Sequence, residues 1–148
     1  MSDRLKKRHR YLKIVLVMLE EMCVLIRYKA ATVYEIVDSL KKDSRFSDLY
    51  FLQKIKNSED QKSFSDQWRT AIAQCPVYFL KAKDLSCIEA LGSNLGNSDI
   101  DGQLSTLLLE KEELKYQISD AAEDLTNKSR LFRTLGVLSG AFISVIII

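Results

Sequence analysis

The sequence predicts an all-α protein: an antiparallel bundle of five to six helices over residues 1–130, followed by a transmembrane helix over residues 131–148. Three observations predict it. Apolar residues recur at steps of three and four along most of the chain. With one proline and five glycines in 148 residues, turn signals are too few for a sheet fold. After Arg133 no charged residue follows, and the tail is apolar or small.

The first helix is expected over residues 4–28, where Leu5, Leu12, Val15, Leu19, Met22 and Ile26 form one stripe and Lys6, Arg10, Lys13, Glu20 and Glu21 the opposite face. Basic residues followed by an apolar run resemble a signal peptide, but the run is short, Glu20 and Glu21 follow at once, and no cleavage site appears. Thr32 with Glu35 is a capping-box pattern that starts a second helix, with Val33, Ile36, Val37 and Leu40 inward and Lys41 and Lys42 suiting its C-terminal dipole. A short apolar helix is expected over residues 47–55, then a polar loop over 57–62. Ser63 and Asp66 signal the next start, Trp68, Ala71 and Ile72 its buried face, and Pro76 a boundary. A fifth helix is expected over residues 78–91, with Phe79, Leu80, Ile88 and Leu91 apolar.

Glycine and asparagine over residues 91–99 then break the pattern, which predicts a tight connection between antiparallel helices, with Ser98 or Asp99 as the next cap. From Leu104 through Leu107, Lys111, Leu114, Ile118, Ala121, Leu125 and Lys128 to Phe132 runs a heptad-like seam, read as the longest helix of the bundle.

Nothing in the sequence points to an enzyme. The one histidine, His9, lies in a basic run without partners in view. Cys23, Cys75 and Cys87 are odd in number and far apart, which suits idle thiols better than a disulfide frame or a zinc site. No phosphate loop, metal motif or nucleophile elbow occurs, so no cofactor, metal or small-molecule substrate is expected. Arg4, Lys6, Lys7, Arg8, Arg10 and Lys13 offer a phosphate-binding face, but a net charge of +2 and the lack of aromatic interleaving argue against nucleic acid. A basic flank beside a membrane explains the same charges.

Counted from Leu131, with Arg133 snorkelling, the tail spans about 27 Å, close to the roughly 30 Å of a hydrocarbon core. Lys128, Arg130 and Arg133 flank it on the N-terminal side, which predicts a cytoplasmic soluble domain. Gly136, Gly140 and Ser144, spaced by four, form a small-residue face suited to helix packing, with a second copy or another subunit as partner.

Leu91-Gly92, Leu95-Gly96, Asp99 and Gln103 resemble the pattern LG-x-x-LG-x-x-D-x-x-x-Q of the stage III sporulation protein AB family. Leu135-Gly136-Val137-Leu138, Gly140 and the aliphatic terminus resemble that family's close. Trp68 and Asp84 also fall where the family tends to carry a Trp and an Asp. The resemblance implies a membrane protein of endospore-forming bacteria, on the mother-cell side. It implies a domain similar to the helical domain of the type II secretion inner-membrane platform protein. The implied partners are the bilayer, other membrane subunits and an ATPase of a secretion-like channel complex. Members usually begin with an N-terminal transmembrane helix. This chain lacks it, with Met1 falling about where that helix would be ending, so the number of membrane passes is left open. The other reading of the residues is a tail-anchored helical adaptor that recruits a soluble partner.

Overall fold

The computed structural model describes residues 2–57, 62–93, 95 and 99–147, with side chains described from Asp3 to Asn127. Among the described residues there are five α-helices, two short 3-10 turns and no strand. The helices are α1 (Ser2–Lys29), α2 (Val33–Lys42), α3 (Phe64–Gln74), α4 (Ala82–Ser93) and α5 (Ile100–Ile147).

The longest helices pack on each other along their length. Glu20 of α1 faces Lys111 of α5, and Arg8 faces Asp120 and Asp124, so positions rise along one helix as they fall along the other. The pair is antiparallel, and the N-terminus of α1 lies at the end where α5 runs on towards residue 147. The expected stripe of α1 is inward: Leu12, Val15, Leu19, Met22 and Ile26 are buried, with Met18 and Leu25 widening the face. On α5, Leu107, Leu114 and Ala121 are buried at steps of seven, while Lys111 turns its amine outward to Glu20.

The shorter elements close the core. Helix α1 ends at Lys29, with Ala30 in the left-handed region at φ 46° and the Ala31 N–H returned to the Leu25 carbonyl. Thr32 then starts α2 as expected: its hydroxyl accepts the Glu35 N–H, and Glu35 accepts the Thr32 N–H. Ser63 likewise caps α3 by accepting from the Asp66 N–H.

Two expectations need correction. No α-helix forms over residues 47–55; the chain makes two 3-10 turns, Ser44–Phe46 and Tyr50–Lys54. Phe46, Leu49, Leu52 and Ile55 are all buried, and their spacing of three matches three residues per turn. The fourth helix begins at Ala82 and not at 78, because the Leu80 N–H closes a turn on Val77 and the Asp84 carboxylate accepts the Lys81 N–H.

Trp68 of α3 sits at the centre with no exposed surface, its indole N–H donating to the Ile88 carbonyl at 2.8 Å. Phe51 meets it edge-on at 5.1 Å and Phe64 tilts beside it at 5.9 Å. Gly92 of α4 lies against the indole, so close that a Cβ there would stand 2.1 Å from Trp68 Cγ. This glycine therefore serves close packing of α4 on α3 and not a turn.

The backbone of α5 is helical to Ile147. The expected transmembrane segment, 131–148, lies outside the residues whose side chains are described. Among the described residues no helix is long and apolar enough to cross a membrane.

Candidate functional site: a buried ion cluster where the long helix leaves the bundle

Arg8 is the feature of α1 that the sequence reading misplaced. By sequence it belongs with the basic residues of the terminus, yet only 1% of it is exposed. It falls three residues after Leu5 and four before Leu12, so it occupies a place on the apolar stripe itself. A gap of seven in an otherwise regular pattern of threes and fours was the signal that marked it.

A buried guanidinium needs partners for its donors, and three carboxylates from two helices supply them. Arg8 Nε donates to Asp84 Oδ2 at 2.7 Å and Nη2 to Asp84 Oδ1 at 3.0 Å, a two-pronged pair with a carboxylate that is wholly buried. Nη2 also reaches Asp120 at 3.1 Å, and Nη1 reaches Asp124 at 3.4 Å. Lys81 closes the outer side, its amine 2.9 Å from Asp124 and 3.4 Å from Asp120. Asp84 thus serves twice, as a cap for α4 and as the counter-charge of α1.

The hydrogen bonds it donates to Asp84 hold the Arg8 guanidinium above its usual pKa, against the burial that would lower it. Partial burial pushes the Asp120 carboxyl up, but the bonds from Arg8 and Lys81 outweigh this and hold it below the usual carboxylate range. Among the described residues no buried side-chain nitrogen or oxygen lacks a partner. Arg8 and Lys81 fill the space between the three acids, and among the described residues no group of acids, cysteines or histidines is arranged to hold a metal. The cluster orients α1, α4 and α5 against each other at the point where α5 leaves the bundle.

The other named residues are scattered. Asp99 accepts the Gly102 N–H and caps α5, and Gln103 lies in that helix's first turn. Gly92 packs on Trp68. Gly96 lies outside the described residues, as do the side chains of Lys128, Arg130 and Arg133 and the face of Gly136, Gly140 and Ser144. The three cysteines are free; burial pushes the Cys87 thiol up to about 11 and also raises Cys23, which leaves both as poor nucleophiles. A groove of about 650 Å³ opens between α1 and residues 75–79, floored by Tyr11, Phe51 and Phe79 and rimmed by Lys7 and Arg10.

Fold and site together define an all-helical protein whose best-built polar cluster is structural. The sequence profile of the family described as stage III sporulation protein AB matches residues 1–148, the whole chain. The chain belongs to that family, which places it in stage III of sporulation. Searches of curated proteins and of solved structures returned no significant match.

Proposed function

We propose that the chain is a membrane-anchored structural subunit of a secretion-like sporulation complex, presenting its bundle as a platform to partner subunits on the mother-cell side. Residues 131–148 are the anchor in this reading. The observation that carries it is the unbroken course of α5 from the ion cluster to Ile147, within a family of stage III sporulation proteins. A helix that belongs to both the core and the tail makes the tail's position depend on the bundle's packing. The resemblance to the type II secretion platform domain supports the choice of partners: an ATPase and further membrane subunits. In this role the cluster keeps α5 in fixed register with α1 and α4, so a load on the bundle is passed along one rigid rod.

Isolating the tagged chain from membranes of sporulating cells tests the reading. The expected result is co-isolation of membrane subunits and an ATPase, lost in Gly140→Leu although that protein still reaches the membrane. A chain that leaves the membrane alone, or only with soluble proteins, overturns the platform. The second reading, a tail-anchored adaptor, draws support from Leu109 and Tyr116 of α5, one heptad apart and 71% and 67% exposed. Capture of a single soluble partner that is lost in Leu109→Ser would favour it.

A further inference from the structure

The antiparallel pairing of α1 and α5 gathers charge at one end of the molecule. Arg8 faces Asp120 and Asp124, and residue 131, where the apolar tail begins, lies only about 10 Å further along α5. Arg4, Lys6, Lys7 and Arg10 of α1 are exposed at this end, and the Arg8–Asp84 pair brings Lys81, just before α4, and the exposed Lys83 of α4 to the same end. Lys7 pairs with Asp3 at 3.3 Å, Arg10 with Asp48 at 3.6 Å, and Lys81 with Asp120 and Asp124, while Asp84 is held by Arg8; these pairs leave the charges of Arg4, Lys6 and Lys83 in excess at this end.

An aromatic residue sits among these cations. Arg4 donates to the Tyr78 carbonyl at 2.8 Å and Lys7 to the Tyr78 hydroxyl at 3.1 Å, yet Tyr78 remains 66% exposed. A tyrosine held in place and largely exposed, between one guanidinium and one amine, is the composition favoured at a headgroup layer.

We propose that this end of the bundle, with Arg4 and Lys7 on Tyr78 and the exposed Lys6 and Lys83, rests on the headgroups of an anionic phospholipid leaflet. The inference builds on the membrane anchoring proposed above and adds a second, charge-selective contact to it. Anionic lipid is the occupant the geometry favours over a protein, because a tail starting about 10 Å away would hold these charges within roughly one screening length of the leaflet. Each such charge strengthens the contact about fivefold. The bundle then stands on the membrane with the ion cluster just above the headgroups and Lys29 at the far end.

Amine footprinting of the full chain tests the contact. The chain is inserted into vesicles of phosphatidylcholine alone, or of phosphatidylcholine and phosphatidylglycerol in equal parts. Acetylation of each lysine is then followed by mass spectrometry, and retention by carbonate washing. The expected result is severalfold slower acetylation of Lys6 and Lys83 in the anionic vesicles only, reversed at high salt, with Lys29 and Lys115 unchanged. Equal labelling in both vesicle types, in a chain that resists carbonate, overturns the lipid contact and leaves the anchor standing. Slower labelling on anionic vesicles, in a chain that carbonate removes, keeps the lipid contact and overturns the anchor. Protection that rises with protein density in both vesicle types assigns the surface to a second copy and overturns the proposal.

Discussion

Adding one methyl group at position 92 should unsettle the centre of the bundle. A Cβ on Gly92 would stand 2.1 Å from Trp68 Cγ and 2.4 Å from Cδ1 and Cδ2. These atoms form the root of a rigid ring, so the indole must retreat by about 1 Å or more to reach ordinary contact distance. It has little room to do so, with Phe51 and Phe64 packed beside it and no exposed surface. Overpacking of this kind costs about 1–3 kcal/mol, and the hydrogen bond to the Ile88 carbonyl, about 1 kcal/mol, is stretched as well. Alanine returns about 1 kcal/mol through its better helix propensity. The clash is with the ring root, so Gly92→Ala should lose about 2–3 kcal/mol net, a fall in Tm of roughly 10 °C for a domain of this size. Trp68 is the sole tryptophan, so its emission reports the disturbed site while circular dichroism of the full chain in micelles reports melting. In a Trp68→Leu background the same alanine should cost at least about 1 kcal/mol less, because the clash has been removed. Unchanged Tm and emission in Gly92→Ala would refute the packing argument.

The ion cluster makes three further predictions possible, and the cap a fourth. Asp84→Ala removes the buried partner of Arg8 and leaves it only Asp120 and Asp124 at the rim, which should cost about 3 kcal/mol by urea unfolding, whereas Arg8→Met with Asp84→Leu should cost no more than about 2 kcal/mol. Equal losses in the single and double variants would mean the charge is not buried as described. Asp120, whose folded pKa is depressed, contributes stability above its unfolded value and loses it as pH falls through the folded one, below about pH 4. Asp120→Asn should therefore flatten the acid limb of the stability curve; a limb as steep as wild type counts against the pairing. Thr32→Ala removes the side-chain half of the α2 capping box and should cost about 1 kcal/mol by the same urea assay, with no loss arguing that α2 is held by packing alone.

Much of the helical order was legible because it rests on local chemistry. The box at Thr32 and Glu35, the cap at Ser63 and the inward stripe of α1 each lie within one or two turns of chain. Trp68 was equally plain as a core residue, whereas helix α4 runs through Gly92 to Ser93, past the break expected at Leu91. Features that depend on distant contacts were less so. Arg8 reads as one more cation of a basic terminus until α4 and α5 bring three carboxylates to it from 76, 112 and 116 positions away. The turns near Phe46 and Leu52 carry apolar residues that suit a helix by composition, and only their spacing of three distinguishes them. Gly92 was visible as a motif residue, but its purpose lies in an indole 24 positions earlier.

Fractionation of sporulating cells tests the central claim, that α5 joins a structural bundle to a membrane anchor which the complex requires. The full chain is compared with one ending at Asn127, expressed from the same promoter and followed by carbonate washing of membranes and by spore counts. The account predicts that the full chain resists carbonate and supports sporulation, whereas the shortened chain is recovered folded in the soluble fraction and spores fail to form. Normal sporulation by the shortened chain, or release of the full chain by carbonate, would contradict it.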